Sequence, residues 1–327
     1  MMEGALEQGT RLIHGAYCIP GPTNVGAIVG NSGRSAGAAA DIYLVDSGMN
    51  SADAERICGA LHALFPPEAG GFRVKAVVNT HSHADHAGGN AWFQRTSGCE
   101  IWTARGETGS LLNPQVQAAV AWGGNPVAEL KTPYLAAEPC TPTRIIAEGA
   151  PEHLSDGGRL DFIPLPGHYF DMTGVRYTNS RGEAALFVGD AVFGRAHILK
   201  YWIPFLYDVG AFKATLRKLC RTAADVYIPS HGVPVPRIDE TAELNEIAVR
   251  STEASILKAL DGAPLTHEEI LKRVADQNGI RLKTAQYVLI GCTLRAYLVH
   301  LAEAGRITYG MRENRLLWHL ADEPPRR

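Results

Sequence analysis

Short apolar runs, each closed by turn-forming residues, recur from about Ile13 to Ser230. AYCIP, GAIVG, IYLVD, VKAVVNT, EIWTA, RLDFIPL, GVRYT, AALFVGD and DVYIPS are rich in β-branched and aromatic residues and read as strands. Stretches of helical character alternate with them, so the pattern predicts a layered α/β fold. The Gly-rich NSGRSAGAAA between two strands fits neither G-x-G-x-x-G nor the Walker pattern and is expected to be a hairpin loop.

From about Leu111 to Pro142 the alternation fails. PQVQAAVAW mixes there with WGGNP, KTPY and EPCTPT, which predicts an irregular, lid-like insertion. After HGVPVPR the character changes again, with one long helix from Asp239 to Leu260 and a compact unit from Thr266 to Leu320. In that unit Thr266 can cap a helix with Glu269 as its capping-box partner, and a second helix from about Lys283 to Ala304 can stop at Gly305. RITYGM and RLLWHL flank REN as a hairpin. Helices followed by a hairpin predict a winged-helix-like module.

Composition narrows the class. The 327 residues are 46% hydrophobic and 20% charged with a net charge of −3, as in a soluble globular protein, and two domains are expected. No apolar run is long enough to cross a membrane. Six scattered cysteines without a C-x-x-C pair read as reduced and structural. The start, MMEGALEQGTRLIHG, lacks the basic and apolar regions of a signal peptide, so a cytoplasmic location is expected.

The densest chemistry lies in VNTHSHADHAGGN, where His81, His83, Asp85 and His86 follow the run VKAVV. Ligands of α/β folds gather at the carboxyl ends of strands. Alternate residues of an extended segment point the same way, so His81 and His83 can converge on one ion. A helix starting at Ala84 would carry Asp85 and His86 to a second position nearby. Loop histidines on the surface are the alternative, and the density of the pattern argues against it.

H-x-H-x-D-H after a strand, followed by LPGH with His168, FVGD with Asp190 and IPSHG with His231, resembles the metallo-β-lactamase fold superfamily. The resemblance spans about 220 residues and implies an αββα sandwich; with the change of character after HGVPVPR, the expected division is a catalytic domain over 1–238, a connecting helix over 239–262 and the winged-helix-like domain over 263–327. It also implies two divalent metal ions. His81, His83 and His168 would hold one, Asp85, His86 and His231 the other, and Asp190 would bridge them, with Asp85 and Asp190 as the catalytic carboxylates. Asp46, ending IYLVD, matches a position that supports such sites without binding metal. Nitrogen and carboxylate ligands suit zinc, with iron or manganese fitting the same set. A metal-bridging hydroxide would then attack the substrate.

Departures from subfamily patterns narrow the reaction. Asp190 and the absence of a cysteine near a ligand motif disfavour a β-lactamase, and His83 replaces the carboxylate of flavodiiron oxygen reductases. The short interval from Asp190 to His231 disfavours nucleases with a large insertion. The set looks most like glyoxalase II-type thioesterases, lactonases and smaller nucleases. FGRAHILKYWIPFLYDVGAF, just after Asp190, reads either as core packing of Trp202, Phe205 and Tyr207 or as an apolar pocket wall. Arg195, Lys200, Lys213, Arg217 and Lys218 offer only a modest basic track for a nucleic acid. An ester, thioester or lactone is therefore the expected small-molecule substrate. The alternatives are a single-strand RNA endonuclease, since some proteins of this fold with a winged-helix-like C-terminal domain are such enzymes, and an iron-dependent persulfide dioxygenase. Tyr169, His197, Tyr201 and Tyr207 stand as candidate proton donors.

DNA is not an expected partner of the C-terminal unit. TAQYVLIGCTLRAYLVHLAEA carries only Arg295 and Glu303 as formal charges, and from Glu240 to Arg327 twelve Lys and Arg balance twelve Asp and Glu. Arg306, Arg312 and Arg315 on the hairpin are the counter-argument. Packing on the catalytic domain, shaping the pocket mouth or forming a homodimer is expected instead.

Overall fold

The computed structural model describes residues 9–321 apart from 33, 133, 134, 136 and 202. Seven strands form one sheet in chain order: β1 (Thr10–Ile13), β2 (Ala16–Ile19), β3 (Val25–Val29), β4 (Ala40–Val45), β5 (Phe72–Val78), β6 (Glu100–Ala104) and β7 (Arg144–Ile146). The first four pair antiparallel and the last four parallel. A second sheet has the order β12 (Val226–Pro229), β11 (Ala184–Gly189), β10 (Thr173–Thr178), β9 (Arg159–Pro164) and β8 (Glu152–His153).

Period-two alternation explains why the sheets stack. On β4, Ala40, Ile42 and Leu44 face α1 (Ser51–Leu64), joining Ala54, Ile57 and Leu61, whereas Val45 faces the other sheet. On β11, Ala185 and Phe187 meet that inner layer, while Leu186 and Val188 face the helices outside the second sheet. The result is a mixed α/β sandwich, helices outside and two sheets within. All nine strands read from the sequence are present, and 31–39 joins antiparallel β3 and β4 as the expected hairpin loop. β1, β7 and β8 were not legible. They are short edge strands with little alternation of their own, held by pairing with β2, β6 and β9.

Further helices are α2 (Ala84–Ala87), α3 (Asn90–Ser97), α4 (Thr108–Leu112), α5 (Gln115–Trp122), α6 (Arg195–Tyr201), α7 (Val209–Leu219), α8 (Asp239–Ala259), α9 (His267–Gln277) and α10 (Thr284–Glu303). The small C-terminal unit adds the hairpin of β13 (Ile307–Arg312) and β14 (Arg315–Leu320), turned by Glu313 and Asn314 at φ 50° and 61°. The expected capping box is formed: the Thr266 hydroxyl accepts the Glu269 N–H, and the Glu269 carboxylate accepts the Thr266 N–H at 2.7 Å. Gly305 follows α10 at φ 65°.

α10 is apolar on more than one face because it has more than one partner. Val288 packs with Ala118, Leu130 and Leu135 of the 111–142 segment, and the Cys292 thiol donates to the Ala121 carbonyl at 3.2 Å. On another face Leu294, Leu298 and Leu301 join a core shared with α7, α8 and α9, and Thr293 Oγ1 accepts the Leu206 N–H at 3.2 Å. The KTPY residues Pro133 and Tyr134 lie outside the described residues.

Glu253 of α8 is buried between Lys213 Nζ at 2.9 Å, His300 Nε2 at 3.3 Å and Arg306 at 4.0 Å, tying the C-terminal unit to α7. Burial alone would raise its carboxyl, but His300 and Lys213 outweigh it and hold the group at about 2, below the usual 4.5. A depressed carboxylate stabilises the fold fully above about pH 4.5 and loses that contribution as pH falls toward 2. Urea unfolding from pH 6 to pH 3 should therefore show an acid-side loss of stability that is smaller in Glu253→Gln. Leu298→Ala, at a fully buried site in the shared core, should lower stability by about 2–5 kcal/mol in the same assay.

Candidate metal centre

β5 ends at Val78, the chain bends at Thr80, and His83, at φ −60° and ψ 148°, directly precedes α2. That geometry places His81 and His83 together, and α2 then turns Asp85 and His86 toward a neighbouring point. His168 lies in the loop after β9, Asp190 directly after β11, and His231 after β12. Gly167 sits at φ 129° against the Phe212 backbone, and Gly189 at φ 58° against Thr80, which is why LPGH and FVGD carry glycine there.

All seven residues expected from the sequence converge. Ligand-type atoms of His81, His83 and His168 cluster within 4.8 Å, as do those of Asp85, His86 and His231, and those of His81, His86 and Asp190. His81 Nε2 lies 2.9 Å and His168 Nε2 3.0 Å from His83 Nδ1. Asp190 stands between the groups, with Oδ2 3.5 Å from His168 Nε2 and 3.4 Å from His231 Nε2, and Oδ1 3.4 Å from His86 Nε2. Asp85 Oδ2 lies 3.1 Å from His231 Nε2.

Four of the five histidines have the remote ring nitrogen hydrogen-bonded. His86 Nδ1–H donates to Asp46 at 2.8 Å, His168 Nδ1–H to the Phe205 carbonyl at 2.8 Å, and His231 Nδ1–H to the Pro22 carbonyl at 3.0 Å. Thr80 Oγ1–H donates to Asp46 at 2.8 Å, which leaves its oxygen to accept from His81 Nδ1 at 3.1 Å. Each partner orients its ring so that Nε2 faces the cluster. Asp46 is the hub. Buried at φ 64°, it also accepts the Thr80 N–H, the supporting place expected of it.

Electrostatics favour a cation. Burial holds His81 and His168 below the usual imidazole range and His83 at about 3, so their lone pairs are free. Burial would raise Asp190 and Asp85, yet the surrounding imidazoles outweigh it and keep both ionised. Burial would likewise lower His86 and His231, but Asp85 and Asp190 lift both, His231 to about 10. Among the described residues His86 Nε2 and Asp190 Oδ1 are buried without a hydrogen-bond partner. Convergent lone pairs, two carboxylates and two orphaned polar atoms fit divalent cations.

Aromatic side chains rim the site. Tyr169 lies 4.3 Å from His83 with the rings tilted by 51°, and Phe205 lies 5.4 Å from His83 and 5.7 Å from His168. Phe170 and Tyr207 pair at 4.2 Å while staying 42% and 51% exposed. His197 stacks 4.7 Å from His231 and lies 4.6 Å from Tyr201, with burial holding it at about 4. Tyr169 is buried, which pushes its hydroxyl up to about 12. Trp202 lies outside the described residues. Sequence reading missed Glu107, whose carboxylate reaches Ser82 between His81 and His83, and Gln117 of α5, which donates to the Ser82 carbonyl at 2.6 Å. Neither residue falls in a motif, so only the tertiary contact reveals them.

Residues 19–231 match the family model of the metallo-beta-lactamase superfamily. The chain belongs to that superfamily. A metallo-beta-lactamase family protein from Thermus thermophilus superposes with a TM-score of 0.72 at 19% identity, covering 95% of this chain and 100% of that one. A beta-lactamase domain protein from Burkholderia ambifaria also gives 0.72, at 17% identity and coverage of 97% and 95%. Among curated relatives, an acyl-coenzyme A thioesterase, MBLAC2, of Gallus gallus is 27% identical over 168 residues, 50% of this chain and 57% of that protein. A hydroxyacylglutathione hydrolase of Thiobacillus denitrificans is 31% identical over 126 residues, 38% of this chain and 35% of that protein. The chain thus spans little more than half the length of one of these curated relatives and about a third of the other. Among the described residues no helix is long and apolar enough to cross a membrane.

Thermal unfolding of chelator-treated protein with added Zn(II) checks the site. Binding to the native state alone should stabilise it by about 2.7 kcal/mol per site at a hundredfold excess over Kd, and Asp46→Ala should weaken the response about 10–100-fold in Zn(II) concentration.

Proposed function

We propose that this superfamily member is a dinuclear metal-dependent hydrolase acting on an ester, thioester or lactone whose acyl part is apolar. The observation that carries the substrate class is the exposed Phe170 and Tyr207 pair, which reaches the site through Tyr169, 4.6 Å from Phe170 and 4.3 Å from His83. His81, His83 and His168 would hold one cation, Asp85, His86 and His231 the other, and Asp190 both, with zinc suiting the donors and iron or manganese also fitting. Such a pair, when bound, supplies an acidified water and a polarised carbonyl. The protein's own residues do the rest. Asp85 and Asp190 are kept ionised, Asp46 and Thr80 orient His81 and His86, and Tyr169 with Phe205 covers the flank of His83. The relatives named as an acyl-coenzyme A thioesterase and a hydroxyacylglutathione hydrolase support the same class.

A nucleic-acid reading has less support. Two of the five cations of the basic track are engaged within the protein: Lys213 is paired with Glu253, and Lys218 donates to the Pro164 carbonyl. We read the C-terminal unit as a winged-helix-like domain, from 263 onward, used for packing. α10 is engaged on the lid and on the Leu206 loop, Arg306 faces Glu253, and Arg315 pairs with Glu313 at 3.5 Å.

Protein purified without chelator should contain two metal ions per chain by elemental analysis. Asp190→Ala should leave the fold intact and cut thioester hydrolysis by more than the ~10–100-fold that loss of an outer partner costs. Along a series of acyl thioesters kcat/KM should rise with chain length, by up to about fourfold per methylene at ~0.8 kcal/mol each, and Phe170→Ala should flatten that slope. Cleavage of single-stranded RNA that vanishes in Asp190→Ala, with no acyl hydrolysis, would replace this function with an endonuclease.

A further inference from the structure

Glu107 is a fully buried carboxylate in the turn Arg105–Glu107 that follows β6, and its hydrogen-bond partners are hydroxyl and backbone groups. A carboxylate taken out of water is costly unless its oxygens are satisfied. Here the two oxygens serve two different loops. Oε2 accepts the Ser82 N–H at 3.0 Å and the Ser82 hydroxyl at 2.6 Å, and Oε1 accepts the Asp171 N–H at 2.9 Å. Ser82 is the residue between His81 and His83, and Asp171 follows His168 in the same loop.

The link is reinforced from both sides. The Asp171 carboxylate accepts the Gly106 N–H at 2.9 Å, so the turn and the His168 loop each donate to the other. A Cβ at Gly106 would meet Asp171 Cβ at 2.7 Å, so the approach leaves no room for a larger residue. Gln117 donates to the Ser82 carbonyl at 2.6 Å and to its hydroxyl oxygen at 3.2 Å. Every polar atom of Ser82 is thereby used, and its backbone cannot shift without breaking a bond to Glu107 or to the lid. An apolar side chain could fill the space at 107, but it could not grip backbone donors of two loops at once.

We propose that Glu107 is a positioning residue that sets the spacing between the His81–His83 segment and the His168 loop. It thereby tunes the cation held by His81, His83 and His168 without touching it. The inference rests on the dinuclear reading above. Its consequence is selective: Asp85, His86 and His231 are held by α2 and the β12 loop, which Glu107 does not contact, so the second cation should be indifferent to residue 107.

The test is a competition titration of metal-depleted protein with Co(II) and Zn(II), following Co(II) absorbance, together with thermal unfolding of the depleted protein. Wild type should bind two ions. In Glu107→Gln, which places an amide donor or a weaker acceptor against the Ser82 and Asp171 N–H groups, one ion should bind about 10–100-fold more weakly with an altered Co(II) spectrum. The other should keep its wild-type affinity. Ser82→Ala, which removes a single hydroxyl, should weaken the same ion by less, and the double variant should lose less than the sum of the two. Unchanged affinity for both ions, or equal weakening of both alongside a lower melting temperature of depleted protein, overturns the proposal in favour of a purely structural role. If Glu107→Gln does not fold, Ser82→Ala decides, and wild-type affinities in that variant overturn it. Wild type binding fewer than two ions would instead sink the dinuclear reading, and this inference with it.

Discussion

Five imidazoles and two carboxylates gathered in one cleft, four of them buried and three partly so, are the constraint on which the rest of this structure depends. Such a cluster is tolerable only if each ring is held in one tautomer and each charge is answered. The strand ends of both sheets deliver the groups, and a layer of acceptors behind them, Asp46, Thr80 and the carbonyls of Phe205 and Pro22, aims them. Asp46 keeps a left-handed backbone to reach three donors at once.

The sandwich supplies rigidity where the cluster needs it. β5 and β11 are buried at their carboxyl ends, so the residues leaving them start from backbone fixed by pairing on both sides. The segments that shape the cleft are less regular and are stabilised differently. α5 is pinned at one end of its side-chain network to Ser82 and at the other to α10. The loop before α7 is tied to α10 through Leu206 and Thr293. The C-terminal unit thus backs two walls of the proposed pocket, which gives its apolar helix a physical reason that nucleic-acid recognition would not.

Comparison with known folds and chemistry of the site speak to different questions. Two structural neighbours under 20% identical establish the architecture along nearly the whole chain, and the family model establishes membership. An apolar acyl substrate is supported by the exposed aromatic pair, by two of the five basic-track cations being engaged internally, and by relatives that this chain matches over only part of their length.

Sequence by itself determined the parts whose chemistry is local. H-x-H-x-D-H at a strand end can converge because alternate extended residues and one helical turn point where they do, and His168, Asp190 and His231 each follow an apolar strand closed by a motif. The nine β-rich runs closed by turns, the capping box at Thr266 and the stop at Gly305 were legible for the same reason: each rests on neighbours in the chain. Tertiary structure alone decided what rests on residues far apart. Edge strands β1, β7 and β8 exist because a partner pairs with them, and the apolar face of α10 found its counterpart in a segment more than 150 residues earlier. Glu107 and Gln117 carry no motif. They matter because the folded chain sets a carboxylate 25 residues away, and an amide 35 away, onto the one serine between two histidines.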